Sequence, residues 1–475
     1  MENRHLASIV LKRAAKLPAY QQFLHKYGIK KIGKLEFENL PIMDKVNYIR
    51  EYGSSDKSSI KKAPPFVYAS SGSSGKSTFW YRGHELDESG VANHEYIFKN
   101  CFQIKKTDPT LVVICFSMGI WVAGVYTMDC TRLLADDGWN MSTITPGIDK
   151  ESIYELLEEL APHYKNIVLA GHPPFLMNAL SFLKSKGQNL SKKCYLLTAG
   201  DKVSEKWRDT ALEIMGTPGD LSRIMNLYGA SDTGPIAHET LASITIRRLA
   251  GTNKALAEKL FGGIALDPAL FQYNPRYAYI EEIGGELVIT KDTYCPLVRY
   301  NIHDLGRVLS YEEVVEILRE TNSLTAGLKN TLSRHKFPFV VKGGRTDVAV
   351  TYYAMNLYPE QLIAWRNDSS LQKSTTGTFG VFRKTDKTHA SEKLEFVIEL
   401  APKITKNIQN IHHRISSTIV KSLRELSPEF RKMLSTLGKA AEPSFVLVPF
   451  GKPVLPRTSI PGITFNEGKS PRILF

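Results

Sequence analysis

Short apolar segments alternate with amphipathic segments through the first two thirds of the chain. The runs LVVICF, KNIVLAG and KCYLLTAG have the length and the continuous hydrophobicity of buried parallel strands. Between them lie KESIYELLEEL and PFLMNALSFLKSKG, whose apolar residues recur at helical spacing. Strands that alternate with helices predict an α/β fold, with a sheet that is covered by helices on both faces.

The pattern changes near Glu281, where GGELVITKDTYCPLVRYNIHDLGRVLSY predicts a β-rich subdomain. VVKGGRTDVAV then predicts a sharp glycine turn and a hinge. After it, EKLEFVIEL and SFVLVPF predict strands, and TKNIQNIHHRISSTIVKSL predicts an amphipathic helix. We therefore expect a large amino-terminal domain of mixed and parallel sheets flanked by helices, residues 1–344, and a small α+β carboxy-terminal domain, residues 345–475.

The composition is that of a folded protein without membrane insertion. The chain has 475 residues, of which 43% are hydrophobic and 23% are charged, enough apolar residues for a substantial core. Its longest apolar runs have the length of strands and are too short to cross a bilayer. The amino terminus alternates basic and apolar residues and predicts an amphipathic helix, not a signal peptide. We expect a cytoplasmic protein.

The net charge is +13, and residues 345–475 hold 19 Lys and Arg residues against 11 Asp and Glu residues. Nucleic-acid-binding proteins share this excess, but they add interleaved aromatic or groove-reading motifs, which this sequence lacks. We expect no nucleic-acid partner. The basic carboxy-terminal segment suits a polyphosphate ligand or an acidic acyl-carrier protein, and it equally suits a generally basic, solvated surface.

The five cysteines are scattered, and none belongs to a CxxC pair. Structural zinc sites need clustered ligands, and the twelve histidines are similarly dispersed. We expect buried free thiols in a reducing compartment and no zinc.

A serine- and glycine-rich segment with a lysine follows the strand-like FVYAS. Glycine lets backbone N–H groups approach an anion closely, serine hydroxyls add donors, and lysine adds positive charge. The P-loop pattern G-x-x-x-x-G-K-[ST] fails here because Ser70 stands at its first glycine. A flexible linker is the other alternative, but linkers do not typically follow a strand directly. The candidate phosphate-binding residues are Ser70, Ser71, Gly72, Ser73, Ser74, Gly75 and Lys76.

Ser70–Thr78 resembles the phosphate loop of the adenylate-forming superfamily. The preceding LPAYQQFL and LPIMDKVNYIREYG resemble its phenylacetate–coenzyme A ligase branch, and four further motifs follow in the expected order. The resemblance implies a ligase that uses ATP and Mg²⁺ to convert a carboxylic acid into an acyl-adenylate. It further implies transfer of the acyl group, with coenzyme A as the first candidate acceptor.

The second motif is YGASDT, residues 228–233. The resemblance implies that Tyr228, with Gly229, contacts adenine, that Ser231 contacts the α-phosphate and that Asp232 holds Mg²⁺. Mg²⁺ prefers hard oxygen ligands and usually binds few protein carboxylates. The family favours glutamate at the metal position, so the carboxylate of Asp232 is one methylene shorter than usual.

The third motif, YNIHD, resembles the Y-R-T-G-D of the family, and it assigns Asp304 to the ribose hydroxyls. Asn301 and His303 replace the usual arginine and glycine. The fourth, KGGRTD, resembles the G-R-x-D hinge. It implies that Arg345 approaches the ribose or the phosphates and that Asp347 is the pivot of a mobile carboxy-terminal domain.

The fifth motif is E-G-K-x-x-R-I near the carboxy terminus, in which Lys469 matches the catalytic lysine of the family. Trp121 in GIWVAG and Phe175 in GHPPF are candidates for an acyl pocket, and a core role is equally compatible with each. These two stretches lack a basic residue, which suggests a hydrophobic aryl or fatty monocarboxylate as the substrate.

Two alternatives to a coenzyme A ligase remain. Ala354 stands where the coenzyme A ligases commonly have glycine, and the basic carboxy-terminal domain suits another acceptor. Transfer to a carrier protein, an amine or a protein thiol is therefore the first alternative. Asp232 in place of glutamate motivates the second, a non-catalytic nucleotide-binding relative, and Lys469 argues against it.

Overall fold

The computed structural model divides the chain into two compact units, one formed by Met1–Ser70 and Phe79–Arg345 and one that contains Thr346–Phe475. It describes residues 3–31, 36–52, 63–70, 78–190, 193–264, 268–346, 350–353, 355–357, 361–362, 365, 368, 371, 373–385, 392–402, 404, 406–450 and 473–474. Within these ranges, no helix combines the length and the hydrophobicity that spanning a membrane requires.

The first unit contains an eleven-stranded mixed sheet and a separate two-stranded sheet. Its strands are β1 (Phe66–Ser70), β2 (Thr78–Arg82), β3 (Thr110–Cys115), β4 (Met141–Ile144), β5 (Asn166–Gly171), β6 (Cys194–Ala199), β7 (Ile224–Ala230), β8 (Gly234–His238), β9 (Ala269–Gln272), β10 (Tyr279–Ile283), β11 (Glu286–Lys291), β12 (Leu297–Leu309) and β13 (Phe339–Arg345). β1 pairs with β2, and the large sheet has the order β10-β11-β12-β13-β9-β8-β7-β6-β5-β3-β4.

The large sheet changes character at β7. β4, β3, β5, β6 and β7 are parallel neighbours, and they include the three predicted apolar strands. From β7 to β10, every neighbouring pair is antiparallel. The predicted β-rich segment therefore forms the antiparallel half of the same sheet. The prediction of an α/β fold with mixed strands is confirmed.

Six of the twelve helices of the first unit begin at a polar side chain that caps them. Asp149, Ser204 and Ser310 each accept backbone N–H bonds at a helix start, which satisfies otherwise unpaired donors. The helices are α1 (Asn3–Ala14), α2 (Pro18–Lys26), α3 (Arg50–Tyr52), α4 (His84–Tyr96), α5 (Val122–Asp136), α6 (Lys150–Leu160), α7 (Pro173–Ser185), α8 (Glu205–Met215), α9 (Leu241–Thr252), α10 (Lys254–Phe261), α11 (Tyr311–Glu320) and α12 (Ala326–Ser333). The predicted helices at the amino terminus and between the parallel strands are confirmed.

The glycines of VVKGGR lie in a strand, so the predicted sharp turn is wrong as far as Arg345. β13 pairs with β12 on one side and with β9 on the other. A Cβ on Gly343 would lie 2.7 Å from Cγ2 of Ile264, so this glycine permits close packing against a neighbouring segment. Asp347 lies outside the described residues, and its role as a hinge stays a prediction.

The second unit contains a four-stranded mixed sheet in the order β18-β17-β16-β19 and a small β14–β15 hairpin. Its strands are β14 (Val350–Tyr352), β15 (Met355–Leu357), β16 (Thr375–Thr385), β17 (Glu392–Leu400), β18 (Ser444–Val448) and β19 (Ile473–Leu474), and its long helices are α13 (Ile408–Leu426) and α14 (Pro428–Leu437). Its core includes Phe379, Phe396 and Ile415. The predicted α+β character and the two predicted strands are confirmed, whereas a mobile cap role stays a prediction.

All five cysteines are buried and free, as predicted. Burial raises the pKa of Cys194 to about 12, which leaves the thiol protonated at neutral pH. The five cysteines thus pack as apolar core residues.

Candidate active site

The loops that follow the parallel strands lie at one edge of the large sheet. β3, β5, β6 and β7 run in the same direction, so their carboxyl ends share this edge. Trp121 follows β3, Phe175 follows β5, and the YGASDT motif spans the end of β7. Open α/β sheets bind ligands in the crevice outside the carboxyl ends of their strands. Three of the predicted segments are therefore placed at the edge where ligands bind in such folds.

The turn between β7 and β8 is tight because both of its flanks carry glycine. Gly229 pairs with Pro235, and Ala230 pairs with Gly234. A Cβ on Gly229 would lie 2.8 Å from the carbonyl oxygen of Gly234, and Gly234 has a φ of +68°. The two glycines let the strands approach closely and leave Ser231 and Asp232 half-buried at the tip of the turn.

Tyr228 connects this turn to Asp304 in β12. Its hydroxyl donates to Oδ2 of Asp304 at 2.5 Å, and one face of its ring stacks on Phe271 with 5.4 Å between the centroids. Burial, followed by the negative charge of Asp304, raises the pKa of Tyr228 well above its usual value. Tyr228 is therefore a permanent hydrogen-bond donor that orients the carboxylate.

The second oxygen of Asp304 faces positive charge. Oδ1 lies 3.5 Å from Nζ of Lys342 and 3.7 Å from a guanidinium nitrogen of Arg345. Asp304 is only 2% exposed, and Oδ1 accepts no hydrogen bond from the described part of the chain. Asp304 also pairs with Arg345 across β12 and β13, so the third and fourth motifs meet at this carboxylate.

Asp232 is oriented by a second tyrosine. The hydroxyl of Tyr300 donates to Oδ2 of Asp232 at 2.6 Å, and burial followed by the charge of Asp232 raises the pKa of Tyr300 well above its usual value. The second and third motifs each contribute one tyrosine and one aspartate. Each hydrogen bond joins the tyrosine of one motif to the aspartate of the other.

His303 stands where the family pattern usually has glycine. It has a φ of +61°, in the left-handed region that favours glycine, which is the residue the pattern usually has there. The imidazole Nδ1 lies 3.6 Å from Glu286 and Nε2 lies 3.9 Å from Asp44. The imidazole of His303 therefore lies between two carboxylates, at a position where the family pattern has no side chain.

The flanks of the serine-rich loop lie beside the same residues. Ser70 accepts hydrogen bonds from Nε1 of Trp80 at 2.7 Å and from Nζ of Lys45 at 3.1 Å. The ring of Trp80 meets the ring of Tyr300 edge-on at 6.5 Å. Beyond the loop, Arg82 donates to the carbonyl oxygen of Ser231. β2, the strand that leaves the loop, therefore contacts both aspartate-bearing segments, and its Trp80 also holds Ser70 at the end of the strand that enters the loop.

Several predicted residues lie outside the described ranges: Ser71, Gly72, Ser73, Ser74, Gly75, Lys76, Asp347, Ala354 and Lys469. Sequence reasoning missed Lys45, Trp80 and Arg82. The position of Lys45 within LPIMDK, a segment already singled out, is a signal that could have found it. Trp80 and Arg82 gave no signal beyond their proximity to the loop.

No protein-family model and no curated protein sequence matches this chain. Solved structures do. A 2-hydroxyisobutyryl-CoA ligase in complex with 2-HIB-AMP and CoA, in the thioesterification state, matches with a TM-score of 0.64 and 12% identity over 96% of this chain and 87% of that chain. An open conformation of the same ligase matches with a TM-score of 0.52 and 13% identity over 100% of this chain and 90% of that chain. The chain has the fold that these ligase structures share. The phenylacetate–coenzyme A ligase branch stays a prediction.

Trp121 and Phe175 are half-buried at the carboxyl edge of the sheet. Trp121 precedes α5, and Phe175 lies in the first turn of α7, after the two prolines that open this helix. Neither residue belongs to the fully buried core. Their assignment to an acyl pocket stays a prediction.

The chemistry of Asp232 is compatible with the predicted Mg²⁺ site. It offers a hard carboxylate at the tip of a half-buried turn, and the bond from Tyr300 fixes its orientation. Mg²⁺ often takes one or two protein carboxylates and completes its shell with water and phosphate oxygens. The aspartate therefore fits the metal despite its shorter side chain.

Proposed function

We propose that this protein uses ATP to convert a carboxylic acid into an acyl-adenylate and then transfers the acyl group to an acceptor, with coenzyme A as the first candidate. One observation carries the proposal. Tyr228 holds one oxygen of the buried Asp304, and the other oxygen faces Lys342 and Arg345 beside the Asp232–Tyr300 pair.

The nucleoside would bind at Asp304 and Tyr228. A carboxylate with one oxygen already fixed can accept hydrogen bonds from a ribose hydroxyl through the other. Arg345 and Lys342 lie within 4 Å of that oxygen, so they flank the sugar and its phosphates with positive charge. Phe271 backs the Tyr228 ring and keeps it rigid for contact with adenine.

The phosphates would lie between the serine-rich loop and the turn after β7. Backbone N–H groups, serine hydroxyls and Lys76 would bind the outer phosphates, and Ser231 would contact the α-phosphate. Asp232 would hold Mg²⁺, which neutralises phosphate charge when it is bound. β2 follows the loop in the chain and reaches this turn through the bond from Arg82 to Ser231, which supports phosphate binding here.

The reaction requires no covalent enzyme intermediate. A carboxylate oxygen attacks the α-phosphorus of ATP, the bond from this phosphorus to the bridging oxygen breaks, and pyrophosphate leaves with the electron pair. Charge develops on the α-phosphate during this step, and Lys469 would stabilise it with its ammonium group. Positioning and electrostatics supply most of the catalysis.

In the second step, the acceptor attacks the acyl carbon and AMP leaves. Coenzyme A is the proposed thiol, and a carrier protein, an amine or a protein thiol are the alternatives. The half-buried Trp121 and Phe175 at the carboxyl edge of the sheet support a hydrophobic aryl or fatty acid. We place the enzyme in the cytoplasm.

Carboxylate-dependent exchange of labelled pyrophosphate into ATP, screened over aryl, fatty and hydroxy acids, tests the first step. We expect exchange with at least one acid and none when the acid is omitted. Absence of exchange across the panel would favour the non-catalytic, nucleotide-binding alternative. Acids that support exchange are then offered with coenzyme A, a carrier protein or an amine, and release of AMP without any acyl-CoA would exclude coenzyme A as the acceptor.

A further inference from the structure

Two buried basic side chains lie beneath the turn that carries Asp232. Arg82 ends β2 and is 3% exposed, and Lys291 ends β11 and is 1% exposed. The two residues come from segments more than two hundred positions apart in the sequence. Neither belongs to any motif of the predicted site.

Both side chains donate to backbone carbonyl groups of the same turn. The guanidinium of Arg82 donates to the oxygen of Ser231, and Nζ of Lys291 donates to the oxygen of Pro235. In the parts of the chain that the structure describes, the partners of the two side chains are backbone carbonyl groups: Arg82 also donates to the oxygen of Tyr81 at 3.3 Å, and its Nε has no hydrogen-bond partner.

This arrangement costs folding free energy. A buried cation that is not paired with an anion loses hydration that neutral carbonyl groups replace only in part. Burial, followed by the positive charge of Arg82, lowers the pKa of Lys291 to about 7. Burial also lowers the pKa of Arg82, and the negative charge of Asp232 acts in the opposite direction. The glycines at Gly229 and Gly234 already allow a tight turn, so the turn itself does not require this cost.

The three bonds together fix the turn at three points. Arg82 holds the carbonyl before Asp232, Lys291 holds the carbonyl of Pro235 after it, and Tyr300 holds the carboxylate of Asp232 itself. The bond from Arg82 to the carbonyl oxygen of Ser231 brings its guanidinium to the residue directly before Asp232. An aspartate has one methylene fewer than glutamate to adjust its reach, so the position of its backbone decides where its oxygens lie.

We propose that Arg82 and Lys291 are positioning residues that hold the Ser231–Pro235 turn and so aim the carboxylate of Asp232 at the divalent cation of the bound nucleotide. The inference rests on the proposed function, because it requires that Asp232 binds the metal. It adds two residues that the adenylation motifs do not contain.

The test uses the full-length protein with Arg82→Met and Lys291→Met, which remove the donors and retain most of the side-chain volume. Arg276→Met is the matched control, since Arg276 pairs with Glu88 on an exposed part of the same unit. Binding of Mn²⁺ is measured by electron paramagnetic resonance in the presence of a non-hydrolysable ATP analogue. Outer-shell substitutions typically weaken metal binding about 10- to 100-fold. We expect the Mn²⁺ dissociation constant to rise at least about tenfold in both site variants and to stay unchanged in the control.

A purely structural role makes a different prediction. Variants that unfold at lower denaturant concentration but bind Mn²⁺ as tightly as the wild type would overturn the inference. Arg82→Lys and Lys291→Gln, which keep a donor, are measured beside the methionine variants, and we expect them to recover part of the Mn²⁺ affinity. Equal Mn²⁺ affinity in these folded variants and in the corresponding methionine variants would likewise contradict it.

Failure of the proposed function would look different again. A wild-type protein that neither binds the ATP analogue nor supports pyrophosphate exchange contradicts the proposed function and this inference together. A wild type that exchanges pyrophosphate, with site variants of unchanged Mn²⁺ affinity, contradicts this inference alone.

Discussion

Tyr228 donates a hydrogen bond of 2.5 Å to Asp304, although 76 positions separate the two residues in the chain. β7, which carries Tyr228, is the last parallel strand of the sheet, and β12, which carries Asp304, belongs to the antiparallel half. Asp232 and Tyr300 form the reciprocal pair between the same two segments. Two acidic side chains are thus oriented by two buried tyrosines, and each hydrogen bond joins β12 to the end of the parallel half of the sheet.

Replacement of Asp304 should weaken nucleotide binding. Asp304→Asn keeps the shape of the side chain but removes the charge that balances Lys342 and Arg345 and one acceptor for the ribose. We expect the dissociation constant for a non-hydrolysable ATP analogue to rise at least about tenfold by titration calorimetry, which is about 1.4 kcal/mol. Asp209→Asn, at an exposed position, is the control. An unchanged affinity in a folded Asp304→Asn variant would remove the residue from the ribose role.

Replacement of Lys469 should impair chemistry more than binding. Lys469→Ala removes the ammonium that the family resemblance assigns to the developing charge on the α-phosphate. Pyrophosphate exchange should fall at least about a hundredfold, which is roughly 3 kcal/mol of barrier, with little change in nucleotide affinity. Lys439→Ala, an exposed lysine of the same unit, should exchange at the wild-type rate. A near-wild-type rate for Lys469→Ala would show that another group performs this role.

Two glycines of the first unit should respond in opposite ways to alanine. A Cβ on Gly306 would meet the backbone of Val341 and lie 2.7 Å from Cγ of Leu287. Overpacking of this kind typically costs about 1–3 kcal/mol. Gly251 is exposed within α9 and has open space around it, so alanine there should add about 0.5–1 kcal/mol. Urea unfolding measures both, and a Gly306→Ala variant as stable as the wild type would contradict the close approach of β12 and β13.

Acid should destabilise the first unit through His238. Burial lowers the pKa of His238 to about 4 from its usual 6.5, and the ring lies against Tyr96 at 4.6 Å between the centroids. Below about pH 6.5, His238 takes up a proton in the unfolded chain but stays neutral in the folded protein. The free energy of unfolding therefore falls as the pH drops towards about 4. The loss from this group is of the order of 3 kcal/mol.

Urea unfolding at several pH values checks this dependence. His238→Asn should be less stable near neutral pH and should lose less stability on acidification than the wild type. His163→Asn, at an exposed position, should keep the wild-type pH dependence. An identical pH dependence in the wild type and in His238→Asn would show that other groups cause the acid sensitivity.

The elements that the sequence predicted well have strong local signals. Each of the six residues of β3 is buried, as its unbroken run of apolar residues indicated. The predicted turn at VVKGGR was wrong because glycine is typical both of turns and of strands that pack closely. The local sequence does not show that Ile264 packs against Gly343. The left-handed backbone of His303 agrees with the glycine of the family pattern, but no local signal predicted that histidine would adopt it.

The side-chain network of the candidate site could be predicted only in part. The motifs supplied Tyr228, Asp232 and Asp304, since their types and order are distinctive. They did not include Arg82 or Lys291, because single basic residues at strand ends are common. Only the fold brings their side chains to the carbonyl groups of Ser231 and Pro235.

Transfer of oxygen from the acid to AMP tests the central claim most directly. The enzyme is supplied with ATP, an acceptor and a carboxylic acid that is labelled with ¹⁸O in its carboxyl group, and the products are examined by mass spectrometry. Attack of the carboxylate on the α-phosphorus predicts AMP that contains one ¹⁸O atom per turnover. Unlabelled AMP, or label that appears in inorganic phosphate alongside ADP, would contradict an acyl-adenylate intermediate.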